Sequence, residues 1–242
     1  MNSTEAEKTD TNGFFLNRIC PAPPRSGNEN DWLVWQLIDS AFPTGGFAHS
    51  YGLEAAWQHG EVGNRENLVL FLEAGLEQLG HASLPFVTAA YDSLEKLGEF
   101  DSFCQAFTIN HVANRASRLQ GKAFLAATER IFKIKKETRI EMQFHHFAPT
   151  FGACLGWLEI SRETTLRMFF FNHLRGVLAA AVRLNIVGPM EAQVLQHRLS
   201  PRGESILNEC KALSLEDIAQ TAPLLDLWQN GQDRLYSRLF QS

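Results

Sequence analysis

The chain has 242 residues, of which 45% are hydrophobic, 11% aromatic and 20% charged, with 18 Phe. That length and apolar content suffice to bury a sizeable core, which excludes a disordered chain, a collagen-like chain and a small disulfide scaffold. Its 27 acidic and 22 basic residues give a net charge of −5, without the clustered positive charge that nucleic acid binding requires.

Residues 1–30 read as a disordered leader, rich in Asn, Thr, Ser, Pro and charge, with Pro21, Pro23 and Pro24 forbidding regular structure. From Asp31 the pattern is helical almost throughout. A first helix spans Asp31 to Ile38 and ends at Phe42-Pro43-Thr44-Gly45-Gly46, and a short second one runs from His49 to Gln58. Asn64 suits the N-cap of the next, whose Leu68, Phe71, Leu72, Leu76 and Leu79 recur at helical spacing. Gly80 and Pro85 punctuate that helix before Phe86–Leu97, Phe100–Val112 and Ala116–Phe132 continue the pattern. Arg139–Phe144 is a weak strand candidate. Ser161 caps a long helix to about Leu184, and Pro189 suits the first turn of another after Gly188. Ser214-Leu215-Glu216-Asp217 resembles a capping box opening a last short helix. The expectation is an all-α chain: one compact, bundle-like domain of about ten helices over 31–242, including a C-terminal tail at about 221–242.

Cys20, Cys104, Cys154 and Cys210 lie far apart and form no CxxC or Cys/His cluster, so they read as reduced thiols in a cytoplasmic protein. The N-terminus lacks the basic start and apolar core of a signal peptide. No stretch reaches the ~20 apolar residues of a membrane span.

Catalytic signatures are scarce. GxxxxGK[ST], GxGxxG after a strand, HExxH and GxSxG are all missing. His145 and His146 are the only adjacent histidines, and neighbours on a helix point about 100° apart, which does not suit one shared metal ion. An all-α enzyme using one of them as a general base is the rival reading. Arg130, Lys133, Lys135, Lys136 and Arg139 form the densest basic run, a solvated face or a dock for an acidic partner. Gly152 and Gly156, four apart, permit close helix packing in the core or at a dimer seam.

Two stretches carry more. Ala41-Phe42-Pro43-Thr44-Gly45-Gly46-Phe47-Ala48-His49-Ser50-Tyr51-Gly52-Leu53-Glu54 is a corner whose Gly pair permits positive φ and close backbone approach. Arg234-Leu235-Tyr236-Ser237-Arg238-Leu239-Phe240-Gln241-Ser242 carries interface-type residues where chain ends are commonly small and polar. It either folds back on its own core or docks a partner.

Read together, these stretches resemble the urease accessory protein UreF family. The matching residues are Pro43, Gly45, Gly46, Phe47, Gly52, Leu53 and Glu54, then Arg183-Leu184-Asn185-Ile186-Val187-Gly188-Pro189, then Ser237-Arg238-Leu239-Phe240 and Ser242. Phe147-Ala148-Pro149-Thr150-Phe151-Gly152 resembles a further family element, and the Asn185–Pro189 version looks more like the plant and other eukaryotic members. The resemblance implies an all-α, dimer-forming, non-catalytic chain that binds no cofactor or metal directly. Nickel and GTP would be handled by partners: a UreD/UreH-type accessory protein, the GTPase UreG and apo-urease. By the same analogy the partner-binding residues are Pro43, Gly45, Gly46, Phe47, His49, Ser50, Tyr51, Glu54, Arg183, Tyr236, Ser237, Arg238, Leu239 and Phe240. The corner is expected to receive the GTPase and the tail to order on the UreD/UreH partner. Pairing of Glu54 with Arg183 in the core is the structural alternative.

Overall fold

The structure is a computed structural model that describes residues 31–133 and 141–242. The leader lies outside the described residues, as do Lys135, Lys136 and Arg139 of the basic run, whose Arg130 and Lys133 are exposed. Ten α-helices occur among the described residues, with no strand. They are α1 (Asp31–Ile38), α2 (Leu53–Gln58), α3 (Arg65–Gln78), α4 (Leu84–Asp92), α5 (Leu97–Phe107), α6 (His111–Phe132), α7 (Phe147–Trp157), α8 (Arg162–Arg183), α9 (Pro189–Cys210) and α10 (Pro223–Gly231). The part of the weak strand candidate that is described, 141–144, forms no strand. No described helix is long and apolar enough to cross a membrane.

Several ends form as their residues dictate. Asn64 accepts from Asn67 N–H at 2.9 Å to cap α3, and Ser161 accepts from Thr164 N–H at 3.2 Å to cap α8. Helix α8 ends in a Schellman turn: Asn185 takes φ 58, Asn185 N–H donates to Val182 O and Ile186 N–H to Ala181 O. Gly60 and Glu159 close α2 and α7 in the same way.

Helix α7 organises the core, and the periodicity reading passed over it. Ala148 through Leu155 are all buried, so the helix is apolar on every side and offers no amphipathic stripe to detect. Phe124 of α6 packs against Phe147 and Phe151, which in turn meet Phe169 of α8. On the other side α7 lies against α4, where Gly152 faces the backbone carbonyl of Val87 so closely that a Cβ would collide with it. The Gly152/Gly156 pair therefore serves internal packing.

Two expectations change. Gly80 and Pro85 do not break the helix that Asn64 opens: α3 runs into α4 through a π turn at Leu79–Ser83, with Leu84 N–H donating to Leu79 O. Pro85 has no N–H for His81 O, and that carbonyl instead accepts from Ala219 N–H at 3.3 Å. The Ser214/Asp217 capping box forms, with Ser214 N–H on Asp217 Oδ2 at 2.9 Å, but opens a turn instead of a helix. The chain beyond it is tied down elsewhere, because Gln78 Oε1 accepts from the N–H groups of Thr221 and Ala222.

The two glycines of α7 separate packing from propensity. Gly152→Ala is expected to cost about 3 kcal/mol, because rigid backbone cannot yield to the new methyl. Gly156→Ala, whose methyl would sit 3.6 Å from the Tyr91 ring, is expected to be neutral or to gain up to about 1 kcal/mol from helix propensity. Urea unfolding checks both, and equal losses would refute the account.

Candidate functional site

The corner and the tail meet. Phe42 anchors the start of the corner in the core against Phe124. Gly45 turns at φ 72, a single 3-10 turn follows at Gly46–Ala48, and His49 and Ser50 run inward. Tyr51 (φ 57) and Gly52 (φ 87) are both left-handed, which delays α2 to Leu53, later than the predicted start at His49. A Cβ on residue 52 would lie 2.9 Å from Gln229 N, so glycine is required there for both conformation and space.

Glu54 is the hub of the contact. Its side chain is buried at 1% exposure, yet no cation among the described residues pairs with it. Leu239 N–H donates to Glu54 Oε1 at 2.6 Å, Phe240 N–H to Oε2 at 3.1 Å and Gln232 Nε2 to Oε2 at 2.5 Å. A buried carboxylate is tolerated when charge-assisted donors surround it, and here the tail supplies all three. Two further backbone bonds pair corner and tail: Ser50 N–H donates to Ser242 O at 2.5 Å and Gln241 N–H to Ala48 O at 2.8 Å. His49 Nδ1 lies 2.5 Å from Ser242 Oγ.

Arg183, at the end of α8, clamps the outer side. Its guanidinium sits between two rings, 3.9 Å from the Phe47 centroid and 4.1 Å from that of Phe240. It donates to Phe47 O at 2.6 Å and to Leu239 O at 3.4 Å. Glu54 and Arg183 thus do not pair with each other; both hold the tail, one through its backbone amides and one through rings and carbonyls. Arg115, Arg238 and His111 converge on Asp233, and Gln58 Nε2 donates to Ser237 O at 2.9 Å. Hydrogen bonding by Arg115 holds the Asp233 carboxyl below its usual range.

The predicted contact residues therefore divide in two. Pro43, Gly45, Phe47 (71% exposed), Tyr236, Ser237, Arg238 and Leu239 (59%) are at the surface, while Gly46 is half-buried. His49, Ser50, Glu54 and Phe240 are buried, so the expectation that His49 and Ser50 face a partner is corrected: inside the fold they bind the tail. Tyr51 also turns inward, its ring 4.8 Å from that of His173. Gln232, Arg115 and Asp233, which sequence reasoning missed, complete the clamp, and no local pattern marks them.

His146, the rival general base, is fully buried, with Nδ1 3.1 Å from Ser117 Oγ and Nε2 2.9 Å from Gln105 Oε1. Burial brings its pKa down to about 4, the Asp101 carboxylate opposing only in part. Asp101, itself buried, accepts from the N–H groups of Phe144, His145 and His146 and so shapes the turn into α7. Ser117 Oγ accepts from Phe147 N–H at 3.0 Å, on the first turn of that helix. This arrangement is that of a helix start, with both ring nitrogens of His146 engaged. No group of three or more His, Cys, Asp or Glu that could hold a metal occurs among the described residues.

Residues 62–200 match the UreF family. The chain is 39% identical over 231 residues to urease accessory protein F of Oryza sativa subsp. indica, covering 91% of this chain and 88% of that protein. It is 39% identical over 229 residues to urease accessory protein F of Arabidopsis thaliana, covering 90% and 95%. An uncharacterized urease accessory protein UreF-like of Schizosaccharomyces pombe is 32% identical over 225 residues, covering 85% and 94%. The chain belongs to the UreF family. Its corner, its α8 end and its tail, far apart in sequence, are brought by this UreF-family fold into one surface.

Two outcomes follow, one from the clamp and one from the buried histidines. Glu54→Ala leaves three donors without their acceptor; at about 1–3 kcal/mol for each unsatisfied buried group, it should lower the melting temperature and expose Arg234 and Arg238 to trypsin. Protease resistance equal to the parent would contradict the hub role. Burial also lowers the pKa values of His49, His146 and His173 to about 4. Their contribution is complete above the unfolded value near pH 6.5 and is lost as pH falls toward 4, because only the unfolded chain takes up protons in that window. Urea midpoints should fall between pH 6.5 and 4.5, less steeply in His146→Gln; a flat profile would contradict this.

Proposed function

We propose that the chain serves urease maturation as a non-catalytic scaffold for nickel insertion, joining a UreD/UreH-type accessory protein to the GTPase UreG and docking that assembly on apo-urease. Family membership supports the urease maturation role and an association with other urease accessory proteins and urease. The finer assignment rests on one observation: the corner and tail form a composite surface that exposes Phe47, Leu239 and Tyr236, with the Leu239 backbone held by Glu54 and Arg183 and the Phe47 ring against the Arg183 guanidinium. Aromatic side chains and a neighbouring arginine on a fixed backbone are the makings of a binding hot spot. Nickel in this reading is cargo. GTP hydrolysis belongs to the partner, since this sequence lacks the phosphate-cradling GxxxxGK[ST] loop.

The UreD/UreH-type partner is assigned to the tail side of this surface, and UreG to the assembled complex. A second copy of the chain in that complex agrees with the family reading.

The combined substitution Phe47→Ala, Tyr236→Ala and Leu239→Ala removes exposed side chains, so the helical circular dichroism should persist. Co-purification with a UreD/UreH-type partner should fall at least tenfold, the equivalent of about 1.4 kcal/mol. Undiminished pull-down would refute the tail assignment. Co-expression with a urease operon lacking its own UreF tests the broader role: restored urease activity is expected, and none would count against it.

A further inference from the structure

Behind the corner lies a cavity of about 310 Å3, the small end of the range for ligand sites. Phe71, Leu72, Leu79, Phe86, Phe107 and Phe169 make much of its wall apolar. Tyr51, His173 and Arg175 line it as well. The Tyr51 and His173 rings meet edge-on, and a Cβ on residue 176, beside Arg175, would lie 3.8 Å from the Tyr51 hydroxyl. Tyr51 reaches this position through a left-handed backbone, φ 57, a conformation that costs a non-glycine residue energy and is held by its surroundings.

The three groups share one property: each presents donors. Tyr51 OH accepts from Gln120 Nε2 at 3.3 Å, which leaves its own proton without an acceptor among the described residues. Neither ring nitrogen of His173 has a hydrogen-bond partner among the described residues, and burial lowers its pKa to about 4, so the ring is neutral with one N–H to give. Arg175 donates to Ile38 O at 2.5 Å and Asn172 Oδ1 at 3.2 Å, keeping further N–H groups, and makes no ion pair with a described carboxylate. Burial lowers the pKa of Arg175, and the Asp39 carboxylate opposes that shift. Asp226 of α10 is the one carboxylate among the lining residues, and burial raises its pKa.

Donors lining one cavity together with a half-buried guanidinium call for a ligand that only accepts and carries one negative charge. A divalent cation, which needs acceptors, does not suit it. A carboxylate does, since it accepts at both oxygens and matches a guanidinium. The phenylalanine-rich remainder selects an apolar body behind that head. We infer that this cavity binds an amphipathic monocarboxylate, with its carboxylate on Arg175, Tyr51 and His173 and its hydrocarbon among the phenylalanines. The cavity shares Phe47, Arg183 and Phe240 with the corner and tail, but the inference does not depend on the scaffold reading.

Titration calorimetry of the full chain with octanoate and with octanol tests it. Octanoate should bind at least tenfold more tightly than octanol, because only it engages the donors. Tyr51→Phe keeps the ring and should weaken octanoate at least threefold while leaving octanol unchanged; Arg175→Met should abolish the preference for the acid. Should Arg175→Met not fold, the ligand pair and Tyr51→Phe still decide the matter. Absence of octanoate binding at 1 mM, equal affinity for acid and alcohol, or unchanged octanoate affinity in Tyr51→Phe would each overturn the inference.

Discussion

A carboxylate buried without a cation is stable only while donors reach it, and Glu54 takes its donors from the far end of the chain. With the tail seated Glu54 is 1% exposed and water does not share its carboxylate, so the positions of Gln232, Leu239 and Phe240 are set by the electrostatic need of one side chain on α2. Once those amides are in place, Phe240 is drawn inward and Leu239 outward. Arg183 can then close over Phe240 and Phe47 together. The exposed apolar surface is thus a product of a buried polar contact.

The frame that makes this possible is the all-apolar helix α7. It gives α4, α6 and α8 a common axis to pack on, and Gly152 lets α4 approach to backbone contact. With α8 fixed by Phe169, its last residue, Arg183, is carried to the corner as part of a rigid body. The Schellman turn at Asn185 stops the helix there, which leaves the guanidinium at a helix end, free to reach both rings.

Much of this architecture was legible in the sequence where local chemistry decides it: Asn64 and Ser161 cap helices, and Pro189 opens one, because those preferences act over a single turn. Helix α7 was not legible, because a helix buried on every side has no periodicity. The corner and tail each stood out by composition, but their meeting did not, since the bonds from Glu54 to Leu239 and Phe240 span 185 and 186 residues. For the same reason Glu54 and Arg183 read as an opposite-charge pair. The inward turn of Tyr51 had no signal at all, as the sequence does not announce left-handed backbone at an aromatic residue.

The π turn at Leu79–Ser83 has a consequence for how the tail can move. By freeing His81 O for Ala219, and with Gln78 holding Thr221 and Ala222, it moors the chain just before α10. Asn110, donating to Asp226 O at 2.9 Å, adds a second mooring within α10 itself. A tail detached from Glu54 therefore remains on a short leash beside its own seat, at an effective local concentration in the millimolar range. Any partner that engages the underside of the tail competes against that intramolecular return, whereas one that reads only its outer face does not.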